Sequence, residues 1–199
     1  MKPASPPAPD VQRRLLLRAG LVWAATGGVV RRAEATTVDT EPLMLEMSPE
    51  GLFITTAAVF ALPRSLEDVL QHGIALYFET MATVVRPRWY WFDEQVAQAR
   101  REVRLAYQPL LQRYRVSVGS LQQNYDSLDE ALGVVQRTRH FRVADPAQLV
   151  PGQGYQVDAQ FRLDLSQLPR PFQINVSSQA DWKIDARFPP QRFVWTPSS

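Results

Sequence analysis

The run from Gly73 to Trp91, GIALYFETMATVVRPRWYW, is the longest unbroken stretch of strand formers in the chain, and it restricts what the rest can fold into. Read as a strand, it places Ile74, Leu76, Phe78, Ala82 and Val84 on one face. Tyr77, Glu79, Met81, Thr83 and Val85 fall on the other. That pattern predicts a central strand. Pro87 has no amide proton to give a ladder, so the run should bulge or reach an edge there. It then restarts with Trp89 and Trp91 on one side and Tyr90 on the other.

The neighbouring segments read as partners for such a strand. An apolar run starts at Leu43, and Ser48-Pro49-Glu50-Gly51 is a turn in which glycine can take a positive φ. Leu52 to Leu62 follows as a strand, and Ser65 caps a short helix with Leu66, Val69 and Leu70 buried and Gly73 at its end. Residues 94–101 fit either helix or strand. From Val103, alternation of Val103, Leu105 and Tyr107 against Arg104 and Ala106 predicts a strand. Pro109 breaks it, and Tyr114, Val116 and Val118 mark a second. Ser127-Leu128-Asp129-Glu130 is a capping box ahead of Ala131, Leu132 and Val135 at helical spacing. Residues 145–154 form a loop. Tyr155, Val157, Ala159, Phe161, Leu163 and Leu165 then alternate with polar residues, the pattern of an antiparallel strand with one wet face. Strands from Phe172 to Val176 and around Trp182 and Ile184 close the chain. The segments SLEDVL at Ser65 and SLDEAL at Ser127 read as two independent helix starts rather than a duplication.

The N-terminal residues carry a different message. Arg13 to Arg18 form a positive segment, Ala19 to Val30 a 12-residue apolar segment, and Ala33-Glu34-Ala35 an A-x-A cleavage site. Residues 1–35 are therefore read as a signal peptide with a disordered Pro- and Ala-rich extension, cleaved after Ala35. A helix of 12 residues is about 18 Å long against a hydrocarbon core of about 30 Å, which argues against a membrane anchor. The pair Arg13-Arg14 resembles a twin-arginine signal. An ordinary general-pathway signal that happens to have paired arginines is the other reading. Either route predicts a periplasmic location, with no further stretch apolar enough to span a membrane. Residues 36–42 then serve as a linker to one domain over residues 43–197.

Charge follows the same division. The whole chain has 22 basic and 20 acidic side chains, but six basic and only two acidic ones lie in residues 1–35, so the remainder is net acidic. An acidic exported chain lacks the electrostatic footprint for nucleic acid, which is not expected as a partner. The chain has no cysteine, which excludes disulfides, thiolate metal sites and a cysteine nucleophile.

Catalytic and cofactor signals are sparse. Neither His72 nor His140 has a second histidine or a carboxylate at i+3 or i+4, so no metal site is predicted, and no glycine loop that would cradle a phosphate is present. His72 is better placed at a helix end, where a positive ring complements the dipole. No G-x-S-x-G exists. Paired carboxylates at Asp93-Glu94, Asp129-Glu130 and Asp158/Asp164 keep a hydrolase of envelope carbohydrate as the alternative. Asp129 and Glu130 read better as first-turn acids, and Asp158 and Asp164 as the wet face of a strand. No catalytic, cofactor-binding or metal residue is assigned.

The candidate binding residues are Arg86, Arg88, Trp89, Tyr90 and Trp91. Arginines interleaved with aromatics suit anionic polymers, sugar rings or a protein partner, through stacking and bidentate hydrogen bonds. The competing reading is a strand end whose tryptophans close the core while the arginines pair with Asp93 and Glu94. A second arginine-rich stretch, Arg100, Arg101, Arg104, Arg113 and Arg115, is read as lining solvated strand faces.

The ordered set HGIALYFE, RPRWYW, LAYQPLLQRYRVSVG, SLDEAL and FRLDLSQLPRPFQ with a following DW resembles domain-of-unknown-function family 4390, exported proteobacterial proteins, from about Leu43 to Trp195. The resemblance implies no activity and no catalytic residues. Members often lie beside a two-component sensor kinase gene, which implies envelope sensing and such a kinase as a partner. The expected fold is mainly β within the α+β class: a single antiparallel sandwich or curled sheet with two short helices. The expected function is that of a non-catalytic binding or interaction module of the cell envelope, without cofactors.

Overall fold

The computed structural model describes residues 36–90, 92–175 and 180–196. Strand β4 (Leu76–Arg86) buries Leu76, Phe78, Thr80, Ala82 and Val84 on one face, and antiparallel strands pair with it on both sides. On one side lies β5 (Glu94–Gln108) and on the other β9 (Gly154–Leu163). Ala82 stands opposite Ala99 of β5 and Ala159 of β9, so the middle of the sheet is thin and leaves room for large side chains above it. The sheet continues from β5 to β6 (Arg113–Val118) and β7 (Leu121–Tyr125). Beyond β9 it is extended by β10 (Asp185–Arg187) and β11 (Gln191–Val194). β6 covers only Val103 to Gln108 of β5, so Glu94 to Glu102 has a strand neighbour on one side only among the described residues.

A second antiparallel sheet is centred on β3 (Gly51–Val59), which pairs with β1 (Asp39–Thr40), β2 (Met44–Ser48) and β8 (Arg137–Ala144). Leu52, Ile54 and Ala58 of β3 share one core with Phe78, Val84, Val157 and Phe161 of the larger sheet. Phe60, Phe78 and Phe161 meet there with ring centroids 5.7 to 5.8 Å apart. Helix α1 (Arg64–Gln71) adds Leu66, Val69 and Leu70, and α2 (Leu128–Val135) adds Ala131, Leu132 and Val135. The fold is mostly β, two antiparallel sheets with helices beside them, and neither sheet closes into a barrel among the described residues.

Several local expectations need correction. Among the described residues there are three α-helices, because Arg170–Asn175 is α3 where a strand starting at Phe172 was expected. Pro171 falls in its first turn, where a missing amide proton costs nothing, and Phe172 N donates to Pro169 O at 2.9 Å. Ala180–Trp182 is a 3-10 turn, and the strand begins only at Asp185. β3 ends at Val59, and Leu165 lies in a 3-10 turn (Leu165–Gln167) beyond the end of β9. Residues 94–101 are strand. Ser65 does not cap α1, which starts at Arg64 after Pro63 with no side-chain bond at its cap. The Ser65 hydroxyl instead donates to Asp181 at 2.7 Å and accepts from Trp182 Nε1 at 2.9 Å, tying α1 to the C-terminal segment. Ser127 does cap α2, accepting from Glu130 N at 3.3 Å, so the two similar segments start their helices differently.

Glu79 is the unexpected residue of the wet face. It is only 2% exposed, because Arg100 from β5 and Arg162 from β9 close over it. Arg100 Nε lies 2.9 Å from Oε1, and Arg162 donates Nε and Nη2 to Oε2 at 3.0 and 2.8 Å. The bond to Glu79 holds the Arg162 guanidinium above its usual range. A carboxylate placed across three strands in this way ties them at one height along the sheet.

Two substitutions test these features. Gly51 sits at φ +140°, and a Cβ there would meet the Ala144 carbonyl oxygen at 2.4 Å. Gly51→Ala should cost about 1–3 kcal/mol of stability in urea denaturation, and an unchanged midpoint would refute the backbone requirement. Glu79→Ala strips both arginines of their shared partner. Since they are half-exposed, the loss should fall at about 2–3 kcal/mol, below the range for a wholly buried pair. A loss under about 0.5 kcal/mol, typical of an ordinary surface site, would show that the clamp contributes nothing.

Candidate functional site

The β4–β5 hairpin builds its tip from the proline. Because Pro87 cannot extend the ladder, pairing stops at Arg86 opposite Glu94, and residues 87–93 form the connection. The strand does not restart at Trp89, contrary to expectation. Trp89 is 94% exposed, Tyr90 67% and Phe92 87%. Trp89 and Tyr90 pack edge to face, centroids 5.0 Å apart, and so stiffen one another without covering either ring. Trp91 lies outside the described residues, as do Ala33 and Ala35.

The arginines of the predicted cluster behave differently from its aromatics. Arg86 and Arg88 both bind Oε2 of Glu94, and Asp93 Oδ1 accepts from the Arg88 amide at 3.2 Å. The structure thus brings Arg86, Arg88, Trp89 and Tyr90 onto one hairpin, but only the aromatics are free. The idea that tryptophan closes the core here fails for Trp89, while pairing of the arginines with acids holds. Phe92 belongs with the exposed aromatics and was missed by sequence reasoning, although it directly follows the WYW run.

Other candidates are held in structural roles. His72 ends α1 and its Nδ1 lies 2.6 Å from Asp68 O. His140 stacks on Phe53 at 4.0 Å with Nδ1 3.3 Å from Glu46 Oε2, a partner on another strand that local spacing could not reveal. It takes φ +45° at a point where β8 holds one residue more than β3. Among the described residues no three histidine or carboxylate groups converge as metal ligands would. Two of the paired carboxylates, Glu94 and Asp164, are not set up as general acids. A general acid needs its pKa raised. Hydrogen bonding from Arg86, joined by Arg88, instead holds Glu94 below the usual glutamate range. Burial pushes Asp164 up, but hydrogen bonds from Ser166 and Gln167 and the charge of Arg162 outweigh it and leave Asp164 below its usual value.

Arg101 is the main departure from the wet-face reading of the second arginine stretch. It stands opposite Thr80 on the inward face of β5 and donates to the Thr138 hydroxyl of β8 at 3.3 Å, linking the two sheets. The signal was present: Val103 and Leu105 point inward, and stepping back two residues from Val103 reaches Arg101.

The tip's electrostatics can be read directly. In a carbon-detected titration Glu94 should ionise below the ordinary glutamate value, and Arg86→Ala should move it back up. A midpoint at or above the ordinary value in the unmodified chain would contradict the geometry.

No curated protein and no solved structure matches the chain significantly. Residues 35–190 match the family model described as Domain of unknown function (DUF4390), a span covering every strand and helix described above except β11. That match agrees with the resemblance carried by HGIALYFE, RPRWYW and SLDEAL, and the chain belongs to the DUF4390 family.

Proposed function

We propose that this chain is an exported, non-catalytic interaction module of the cell envelope, released into the periplasm by cleavage after Ala35, and that it docks on a protein partner through the β4–β5 hairpin tip. The observation that carries this reading is the exposure of Trp89, Tyr90 and Phe92 together on one turn. Three such side chains present on the order of 500 Å² of surface that is favourable to cover. At about 25 cal/mol per Å² that is on the order of 10 kcal/mol before the costs of association.

Charge at the tip selects among occupants. Arg86 and Arg88 are balanced by Glu94 and Asp93, so the hairpin offers little net attraction to an anionic polymer or an anionic bilayer. An apolar pocket on a protein suits a convex, uncharged aromatic wedge, and aromatic residues dominate protein hot spots. The family resemblance makes the extracytoplasmic part of a sensor kinase the first partner to test.

The test is crosslinking in intact cells from a photoreactive group at Tyr90, with the N-terminus of the recovered chain read by mass spectrometry. The expected result is a discrete envelope protein crosslinked to a chain beginning at Thr36. Trp89→Ala/Phe92→Ala should abolish that product while leaving the urea midpoint unchanged, because both side chains stand in solvent. Equal capture by the double variant would sink the docking surface, and an intact N-terminus on cytosolic protein would sink the location.

A further inference from the structure

An open cleft of about 890 Å³ lies between β5, the end of β7, α2 and the start of β8. Arg101, Arg137 and Arg139 line it, and the last two also line an adjoining cleft of about 390 Å³ beside β3. Elsewhere Arg86, Arg88, Arg100, Arg113, Arg142 and Arg162 each have a carboxylate within ion-pairing distance, whereas exposed or part-buried arginines such as Arg104 and Arg115 bond to neutral side chains instead. The three cleft arginines have no carboxylate within 4.0 Å among the described residues, although Asp129 and Glu130 line the same cleft from the first turn of α2. The cleft therefore keeps its cations and its carboxylates apart.

Arg101 is also held in place. Thr138 accepts from its guanidinium at 3.3 Å, and Thr138 and Thr80, both buried, share a hydrogen bond of 3.1 Å across the two sheets. Arg101 lines the cleft, and among the described residues no carboxylate lies within 4.0 Å of its guanidinium. Taking a guanidinium partly out of water without a counter-charge is unfavourable, and burial lowers the pKa of Arg101 accordingly. A ligand that brings the missing charge recovers that cost on binding.

We propose that this cleft binds a small anion bearing two or more carboxylate or phosphate groups. Arg101 is the fixed inner anchor, and Arg137 and Arg139 reach the ligand from β8. Both oxyanions suit the planar fork of a guanidinium, and the volume is that of a small-molecule site. Asp129 and Glu130 border the cleft on the α2 side, so the anionic groups of the ligand sit against the arginines of β5 and β8.

The test is calorimetric titration of the full chain with citrate and with pyrophosphate at constant ionic strength. At least one should bind saturably. Arg101→Gln should weaken it at least about tenfold, the loss of one charge-assisted contact. Arg115→Gln, on β6 and bonded to Asn124 outside the cleft, should leave the affinity unchanged. Binding of citrate alone identifies a carboxylate ligand and binding of pyrophosphate alone a phosphate ligand. If Arg101→Gln does not fold, the exposed pair Arg137→Gln/Arg139→Gln must show the same tenfold loss. No saturable binding of either anion, or a smaller loss in the variant measured, overturns the assignment.

Discussion

A strand bonded on both sides along most of its length has almost no freedom of register, and β4 is in that position. Because side chains alternate with period two, a slip of one residue would carry Glu79 into the space now filled by Phe78 and Thr80 and expel an aromatic ring into water. Glu79 makes that error costly, since its carboxylate would lose Arg100 and Arg162 together. Everything else is referred to this strand. The alanine row opposite Ala82 sets the depth of the core, the phenylalanine trio fills it, and Pro87 decides where the hairpin tip begins.

How much of this could be read from the chain depended on whether a segment buries one face. β4 and β9 do, and their alternation was plain in Leu76 to Val84 and Tyr155 to Leu163. β7 was not recognisable, because Leu121–Tyr125 is exposed along nearly its whole length and has no core to impose a period. β8 was missed for a different reason: its pairing with β3 shifts twice, once around His140, so its buried positions do not recur every second residue. α3 was misjudged because prolines at 169 and 171 look like strand punctuation but are compatible with the first turn of a helix.

The same contrast runs through the functional surfaces. The aromatic run at the tip was visible as a cluster, and only the structure showed that Trp89, Tyr90 and Phe92 stand in solvent while Arg86 and Arg88 are satisfied. The cleft has no signature in the sequence, since Arg101, Arg137 and Arg139 come from two strands in different sheets that meet only through folding. Arginine is abundant throughout the chain, so composition could not separate the paired guanidinium groups from the unpaired ones. What separates them is the presence or absence of a carboxylate within reach.

The half-covered flank of β5 carries a consequence for how these molecules behave in company. From Glu94 to Glu102 its outer amides and carbonyls form a template onto which another chain could add a strand. That flank reads EQVAQARRE, with an acid at each end and two arginines between, and no run of three apolar residues. A stranger docking there would have to strip water from those charges before gaining any backbone bond. The charges along that rim thus serve twice: they oppose edge-to-edge pairing, and since Arg100 and Arg101 also hold Glu79 and Thr138, neutralising them would loosen the sheets while baring the border.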